Sequence, residues 1–308
     1  MQLRNQNPFV AIHGLPSIGV ARTLPAGRSE AAITLDLTNE FADSTKPDES
    51  IELDGETHRL ALSYRRGFGR GLEAGVSLPV VRHSGGFLDG FIESWHDMLG
   101  LSDLGRDDVP EDRLVYRYTR SGEALAEVTD STAGLGDITL SGGFSPTFGR
   151  DASAMQFAVR AQLKLPTGDS DRLRGSGAVD VAVWGVVSGK LSSWRGSQWR
   201  WYGGAGVLAM GNGDVLPGQQ RDFGVFANAG AAWQPLSRIA FKLQLDAHSA
   251  LYEDTRVSPL AEDAFTAGLG GTWSVSSGHS LDFAVVEDVI NLGASPDVSF
   301  HLNWRAGF

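Results

Sequence analysis

The chain has 308 residues, no cysteine, and 26 Lys and Arg against 37 Asp and Glu, for a net charge of −11. That acidity excludes a nucleic-acid surface and a basic helix lying on a membrane. Without cysteine there is no disulfide framework and no thiolate zinc site. No apolar run approaches the roughly 18 residues of a membrane-spanning helix. The opening MQLRNQNPFV lacks the basic-then-apolar order of a signal peptide. Composition alone therefore leaves two readings: a cytoplasmic protein, or a mature form whose signal has been removed.

Residues 1–28 carry no regular pattern and form an N-terminal segment, expected at the periplasmic side or in the lumen. From residue 30 onward apolar and polar residues alternate with period two, the mark of strands with two unlike faces. AAITLDLTNEF sets Ile33, Leu35, Leu37 and Phe41 against Asp36 and Glu40. HRLALSYR sets Leu60, Leu62 and Tyr64 against Arg59 and Arg65. GLEAGVSLPV, GDITLSGGF and MQFAVRAQLKL continue the pattern, the last with Arg160, Gln162 and Lys164 on its polar side. VDVAVWGVVSGKL places Asp180, Ser188 and Lys190 opposite its valines. WRWYGGAGVLA places Arg200 and Tyr202 opposite Trp199 and Trp201, and DFGVFANAGAAW places Asn228 opposite Phe223 and Trp233. RIAFKLQLDAHSAL sets Lys242, Gln244, Asp246 and His248 against Phe241, Leu243 and Leu245. AFTAGLGGTWSV and HSLDFAVVED follow, and the chain closes on HLNWRAGF, with Leu302, Trp304 and Phe308 on one face and His301 and Arg305 on the other. The count is about 12 strands of roughly 9–15 residues, where a tilted membrane-crossing strand needs about 9–11; 14 strands is the alternative count.

The connections decide the architecture. After even strands they are tight: 67–69, 147–151, 193–196, 235–237 and 276–279. After odd strands they are longer and polar: 42–50, 83–133, 167–176, 211–220, 253–262 and 290–297. Short turns at one end and long loops at the other predict an all-β, up-and-down antiparallel barrel of the bacterial outer membrane, with its apolar face toward lipid. Tyr64, Phe144, Trp199, Trp201, Trp233, Trp273 and Phe308 all fall at the short-turn edge, where aromatic rings prefer the membrane interface. The last strand must close the barrel, since lipid tolerates no free sheet edge. Its aromatic end, Trp304 and Phe308, resembles the signal that the outer-membrane assembly machinery reads. The expected surroundings are outer-membrane lipid and lipopolysaccharide, with no nucleic acid. A soluble barrel or sandwich would have to bury this face inside and fit all these long strands around one core.

Four stretches, NQNPFVAIHGLP (5–16), GGFLDGFIESWHDMLGL (85–101), LKLPTGD (163–169) and VVEDVINLGASPDVSFHL (285–302), resemble the domain of unknown function 3187 family of Gram-negative outer-membrane barrels. GLGDITL (134–140) and KLPTGD also resemble, less specifically, barrels linked to aromatic-compound degradation. The resemblance implies a fold and a location. It supplies no catalytic residue.

Function is then a question about the lumen. Asp36, Glu40, Arg59, Arg160, Lys164, Asp180, Lys190, Arg200, Lys242, Asp246, His248 and Arg305 are expected to line it. Charges of both signs either cross-link the interior or border a path, and a barrel of about 12 strands is narrow. Three readings follow: a narrow channel or transporter for small molecules, hydrophobic ones included; a lipid-modifying enzyme; or a structural or surface-interaction barrel with a closed lumen. Asp246, His248 and Ser249 tempt the enzymatic reading, but Ser249 falls on the lipid face, away from the imidazole it would need. The chain's seven histidines lack metal-ligand spacing, and no cofactor is called for. In the 83–133 loop, Leu88, Phe91, Ile92, Trp95 and Leu99 recur at helical spacing and predict an amphipathic helix serving as gate or lid. Residues 113–128 read as a short projecting hairpin.

Overall fold

The computed structural model describes residues 1–86, 113–146, 155–194, 197–289 and 293–308. Among the described residues fifteen strands form one antiparallel sheet. In chain order they are β1 (Ser29–Lys46), β2 (Glu49–Gly69), β3 (Leu72–Ser84), β4 (Val115–Arg120), β5 (Glu123–Val128), β6 (Thr132–Leu135), β7 (Thr139–Phe144) and β8 (Met155–Lys164). Then come β9 (Asp180–Trp194), β10 (Ser197–Met210), β11 (Phe223–Leu236), β12 (Ile239–His248), β13 (Ala264–Ser276), β14 (His279–Asp288) and β15 (Val298–Gly307). Twelve of them close the barrel, β4, β5 and β6 being additions. Closure is between β1 and β15, with Ile33 opposite Trp304 and Leu35 opposite Leu302. Ser29 and Phe308 exchange backbone hydrogen bonds of 2.7 and 2.9 Å at the seam. No edge is left in the barrel wall there, as the hydrocarbon region requires.

The alternation reads out as expected. Leu62, Val183, Leu243, Leu269 and Leu302 are exposed on the outside, while Asp36, Arg160, Lys164, Gln244, His301 and Asn303 are buried within. An exposed belt of large apolar side chains is stable only against lipid. At the short-turn edge Trp233 stacks between Trp199 (5.8 Å) and Phe241 (5.7 Å), and the rings of Tyr64 and Phe308 lie 6.5 Å apart.

One expectation fails. Residues 42–50 do not form a long loop: β1 and β2 stay paired up to Lys46 opposite Glu49. Eighteen residues in β1 reach about 60 Å at ~3.4 Å per residue, well past a bilayer. The polarity of the strand inverts above the membrane, which hides it from a search for lipid-facing alternation. Below Gly55 the outward residues Leu60 and Leu62 are apolar; beyond it Ile51 and Leu53 are buried on the inward side. At Gly55, with φ +149°, β2 exchanges its neighbour β3 for β4. An added Cβ there would sit 2.9 Å from Leu114 and 3.2 Å from the Ser84 carbonyl, so the crossover is a glycine position. The hairpin expected over 113–128 is β4–β5. It stands on the end of β2 and does not enter the wall, which fixes twelve strands rather than fourteen.

The long-loop end is capped by a hydrophobic cluster. Ile51, Leu53, Tyr116, Tyr118, Leu251 and Leu260 are all buried in it. Phe9 and Val10, from the short helix α1 (Pro8–Ala11), belong to the same cluster. The helix expected at Leu88–Leu99 lies outside the described residues.

Candidate functional site

Residues 1–24 occupy the lumen. They rise from its middle, turn at α1 beneath the cap, and descend along β8 and β9. The route follows from partners whose positions on the strands are known. The Met1 nitrogen donates to Gln244 Oε1 at 3.0 Å, midway along β12. Asn5 bonds His248 at 2.9 Å and the Ala294 carbonyl at 2.8 Å, at the long-loop end. Asn7 caps α1 by accepting from the Phe9 N–H at 3.0 Å. The Tyr252 hydroxyl donates to the Phe9 carbonyl at 2.8 Å.

On the way down, wall side chains take the place of a neighbouring strand. Lys164 donates to the Ile12 carbonyl at 3.0 Å and Gln162 to that of Gly14 at 3.1 Å. The Trp184 indole donates to the Ile18 carbonyl at 2.7 Å. Arg160 donates to the carbonyls of Val20 (3.0 Å) and Arg22 (3.1 Å). In return Asp180 accepts from the Gly14 N–H at 2.7 Å and Glu73 from the Leu24 N–H at 2.8 Å. An irregular segment inside a barrel must satisfy its backbone somewhere, and here inward-facing side chains of β3, β8 and β9 do so.

The charged residues expected in the lumen group by level. Near the long-loop end Lys164 lies 2.8 Å from Asp137 and 3.1 Å from Asp180, and it also bonds Ser176. Glu40 is buried on β1. In the middle Asp36 accepts from His301 (2.7 Å) and Gln6 (3.1 Å), with Arg59 at 3.5 Å. Lower down, Glu73 joins Arg160 (2.7 Å) to Arg65 (3.0 Å), and Asp282 joins Arg305 (2.8 Å) to Lys242 (3.3 Å). Asp246 is held by the Gln244 amide at 2.7 Å. Lys190 and Arg200 stand apart from these clusters, near the short turns. Ser249 Oγ accepts from the Val225 N–H at 3.1 Å while His248 Nδ1 faces the Ser249 carbonyl at 2.9 Å, so the Ser249 hydroxyl and the His248 imidazole are not paired with each other. The gate residues Leu88, Phe91, Ile92, Trp95 and Leu99 fall outside the described residues.

The alternation pattern passed over Trp184, which shares the inward row of β9 with Asp180 and Lys190. It also passed over inward glycines that mark where the segment presses on the wall. A Cβ at Gly268 would lie 2.3 Å from Leu3 Cδ1, and one at Gly204 2.6 Å from Ile18 Cγ2. Glycine at an inward position of an otherwise regular strand is the readable signal of such a close approach.

Among the described residues two cavities in the lumen are larger than the small gaps around them. One, of about 130 Å³, lies between Asp36, Arg59, Thr34 and Arg160. The other, of about 350 Å³, opens near the short turns between Arg22, Lys190, Arg200 and Tyr202. Gly19 and Val20 border both, so this stretch of the lumen segment is a partition between them.

A closed twelve-stranded wall with an outward apolar belt, an aromatic edge and a polar, segment-filled lumen defines an outer-membrane β-barrel. The family described as Protein of unknown function (DUF3187) matches residues 1–308, and the chain belongs to it. No curated protein sequence matches the chain. Among solved structures the barrel is similar to the COG4313 outer membrane channel from Pseudomonas putida F1, at TM-score 0.60 and 11% identity over 94% of this chain and 98% of that one. Weaker likenesses are to the transport unit of the autotransporter AIDA-I from Escherichia coli (TM-score 0.47, 9% identity, 91% of this chain and 90% of that one) and to the NanC porin (TM-score 0.46, 7% identity, 90% and 98%). At these identities the shared feature is the fold.

Proposed function

We propose that the protein is a narrow outer-membrane channel or transporter for small molecules, with the lumen segment as its gate. The long loops then face the cell exterior and the short turns the periplasm, as in barrels of this kind. One observation carries the reading. The segment is joined to the wall by side chains, which can exchange partners, and it separates two cavities inside one lumen. A sheet-paired plug could not leave without opening the barrel, whereas this one can be released with the twelve-stranded ladder intact. The barrel's likeness to an outer-membrane channel agrees with the class of function.

The absence of native cysteine makes the test clean. Leu3→Cys with Gly268→Cys places two thiols where Leu3 already contacts the wall, within disulfide reach. In planar bilayers the oxidised protein should conduct less than the reduced one. A variant lacking residues 2–20, shown to be folded by heat-modifiable gel migration, should conduct more than the parent. Equal conductance in all forms would leave a closed structural barrel.

A further inference from the structure

We propose that the 350 Å³ cavity at the short-turn end is a binding site for a small amphiphilic organic anion. The proposal stands whether or not the lumen conducts. Its centre is a pair of like charges. Lys190 on β9 and Arg200 on β10 are direct cross-strand partners, and both line the cavity. Like charges directly opposite on a sheet repel. Deeper in the lumen Arg59 is matched by Asp36, Arg160 by Glu73, and Lys164 by Asp137 and Asp180, while Arg4 is held by the Ala11 and His13 carbonyls.

Among the described residues neither Lys190 nor Arg200 has a carboxylate within ion-pair distance; the polar contact shown for Arg200 is Gln198 Oε1 at 3.4 Å. Arg22, from the lumen segment, brings a third cation to the same cavity, and no Asp or Glu lines it. The fourth cation, Lys242, shares the single carboxylate of Asp282 with Arg305. In a protein of net charge −11, this is a local field of the opposite sign, and a recess with low-dielectric walls concentrates it.

The apolar half of the ligand is indicated by Val20. It is 45% exposed although it sits inside the barrel, and it lines the cavity beside Ala21 and the Tyr202 residue. A volume of about 350 Å³ lies at the small end of ligand pockets, roughly 300–1,000 Å³. The site therefore suits an acidic headgroup between Lys190, Arg200 and Arg22, with a compact apolar body against Val20.

The probe is 2-naphthoate, titrated calorimetrically into the full-length barrel in uncharged maltoside micelles, with empty micelles as the blank. Its neutral analogue 2-naphthalenemethanol and inorganic phosphate are run alongside. Saturable binding of 2-naphthoate is expected, roughly ten-fold tighter than either comparison compound, since a hydrogen bond to a charged group and the apolar contact each contribute on that scale. Lys190→Gln with Arg200→Gln should weaken it by about ten-fold or more. Arg22→Gln should weaken it too, and carries the test if the double variant does not fold, because it leaves the wall untouched. Arg117→Gln, on β4 outside the lumen, should change nothing. Equal binding of the neutral analogue, or unchanged affinity in the Arg22 and double variants, would overturn the proposal.

Discussion

The Lys164 ammonium lies 3.1 Å from the Asp180 carboxylate, with both side chains almost completely buried. The same two residues hold the lumen segment from opposite sides, Lys164 through the Ile12 carbonyl and Asp180 through the Gly14 N–H. The ion pair is therefore also a clasp. Removing the cation leaves Asp137 and Asp180 without a counter-ion, and breaking such a pair typically costs about 3–5 kcal/mol. Lys164→Met should lower the unfolding midpoint accordingly. Adding Asp180→Asn should recover part of the loss, because one uncompensated charge is gone. A double variant no more stable than Lys164→Met would show that charge is not the cause.

Trp184 makes a second hold of a different kind. Its indole N–H meets the Ile18 carbonyl at 2.7 Å, while its ring packs edge-on to Phe226 at 6.1 Å. Trp184→Phe keeps the ring contact and leaves the carbonyl unpaired, a cost of about 1–3 kcal/mol. The cost should fall on the segment. Amides of residues 14–22 should exchange faster by mass spectrometry while the strands keep their protection. Uniform loosening of barrel and segment would mean that the two are one cooperative unit.

The wall was legible because its faces meet unlike media. Leu243 and Gln244 differ in polarity since one touches lipid and the other the lumen, and a period of two records that difference. The lumen segment has no such record. Residues 1–24 take an irregular path, so their apolar residues Leu3, Phe9, Ile12 and Ile18 follow no fixed spacing; each is placed by a different partner. The β1–β2 extension was missed for the converse reason. Ile51 and Leu53 do alternate, but toward a cap, opposite in sense to Leu60 and Leu62. Sequence assigns inward charges such as Lys164 and Asp180 to the lumen, but not to each other, because strand register and loop residues such as Asp137 and Ser176 decide the pairing.

The facing itself can be tested. Leu243, on β12, is 52% exposed on the outer surface, next to the inward Gln244. A cation on the lipid face near mid-strand costs about 2–4 kcal/mol. Leu243→Arg should show that loss when refolded into bilayers, and Leu243→Phe should show almost none. A tolerated arginine would place this face outside the hydrocarbon.

The last prediction concerns pH and rests on His13. The Tyr252 hydroxyl has one proton and gives it to the Phe9 carbonyl, so the 2.9 Å contact between Tyr252 and His13 Nε2 requires the proton on Nε2. With the proton on Nε2, a neutral His13 leaves Nδ1 unprotonated, 4.0 Å from Asp180. Burial, reinforced by the nearby Lys164 ammonium and then His248, pulls its pKa from 6.5 to about 3. The released segment regains an ordinary histidine that binds a proton below pH 6.5. The released state thus holds more protons than the seated one between pH 6.5 and 3, and acid favours release. Each pH unit through that window costs the seated state up to about 1.4 kcal/mol; above pH 6.5 the effect is absent. Protease cleavage within residues 1–24 should therefore accelerate as pH falls from 7 to 5, for a protease whose own rate is corrected on a free peptide. His13→Gln keeps a donor toward Tyr252 and removes the titration. Its pH response should be shallower, with the remainder owed to the Met1 amino group, whose burial in the seated segment pulls its pKa from 8.0 to about 5. Identical profiles for parent and variant would show that His13 does not govern the seating of the segment.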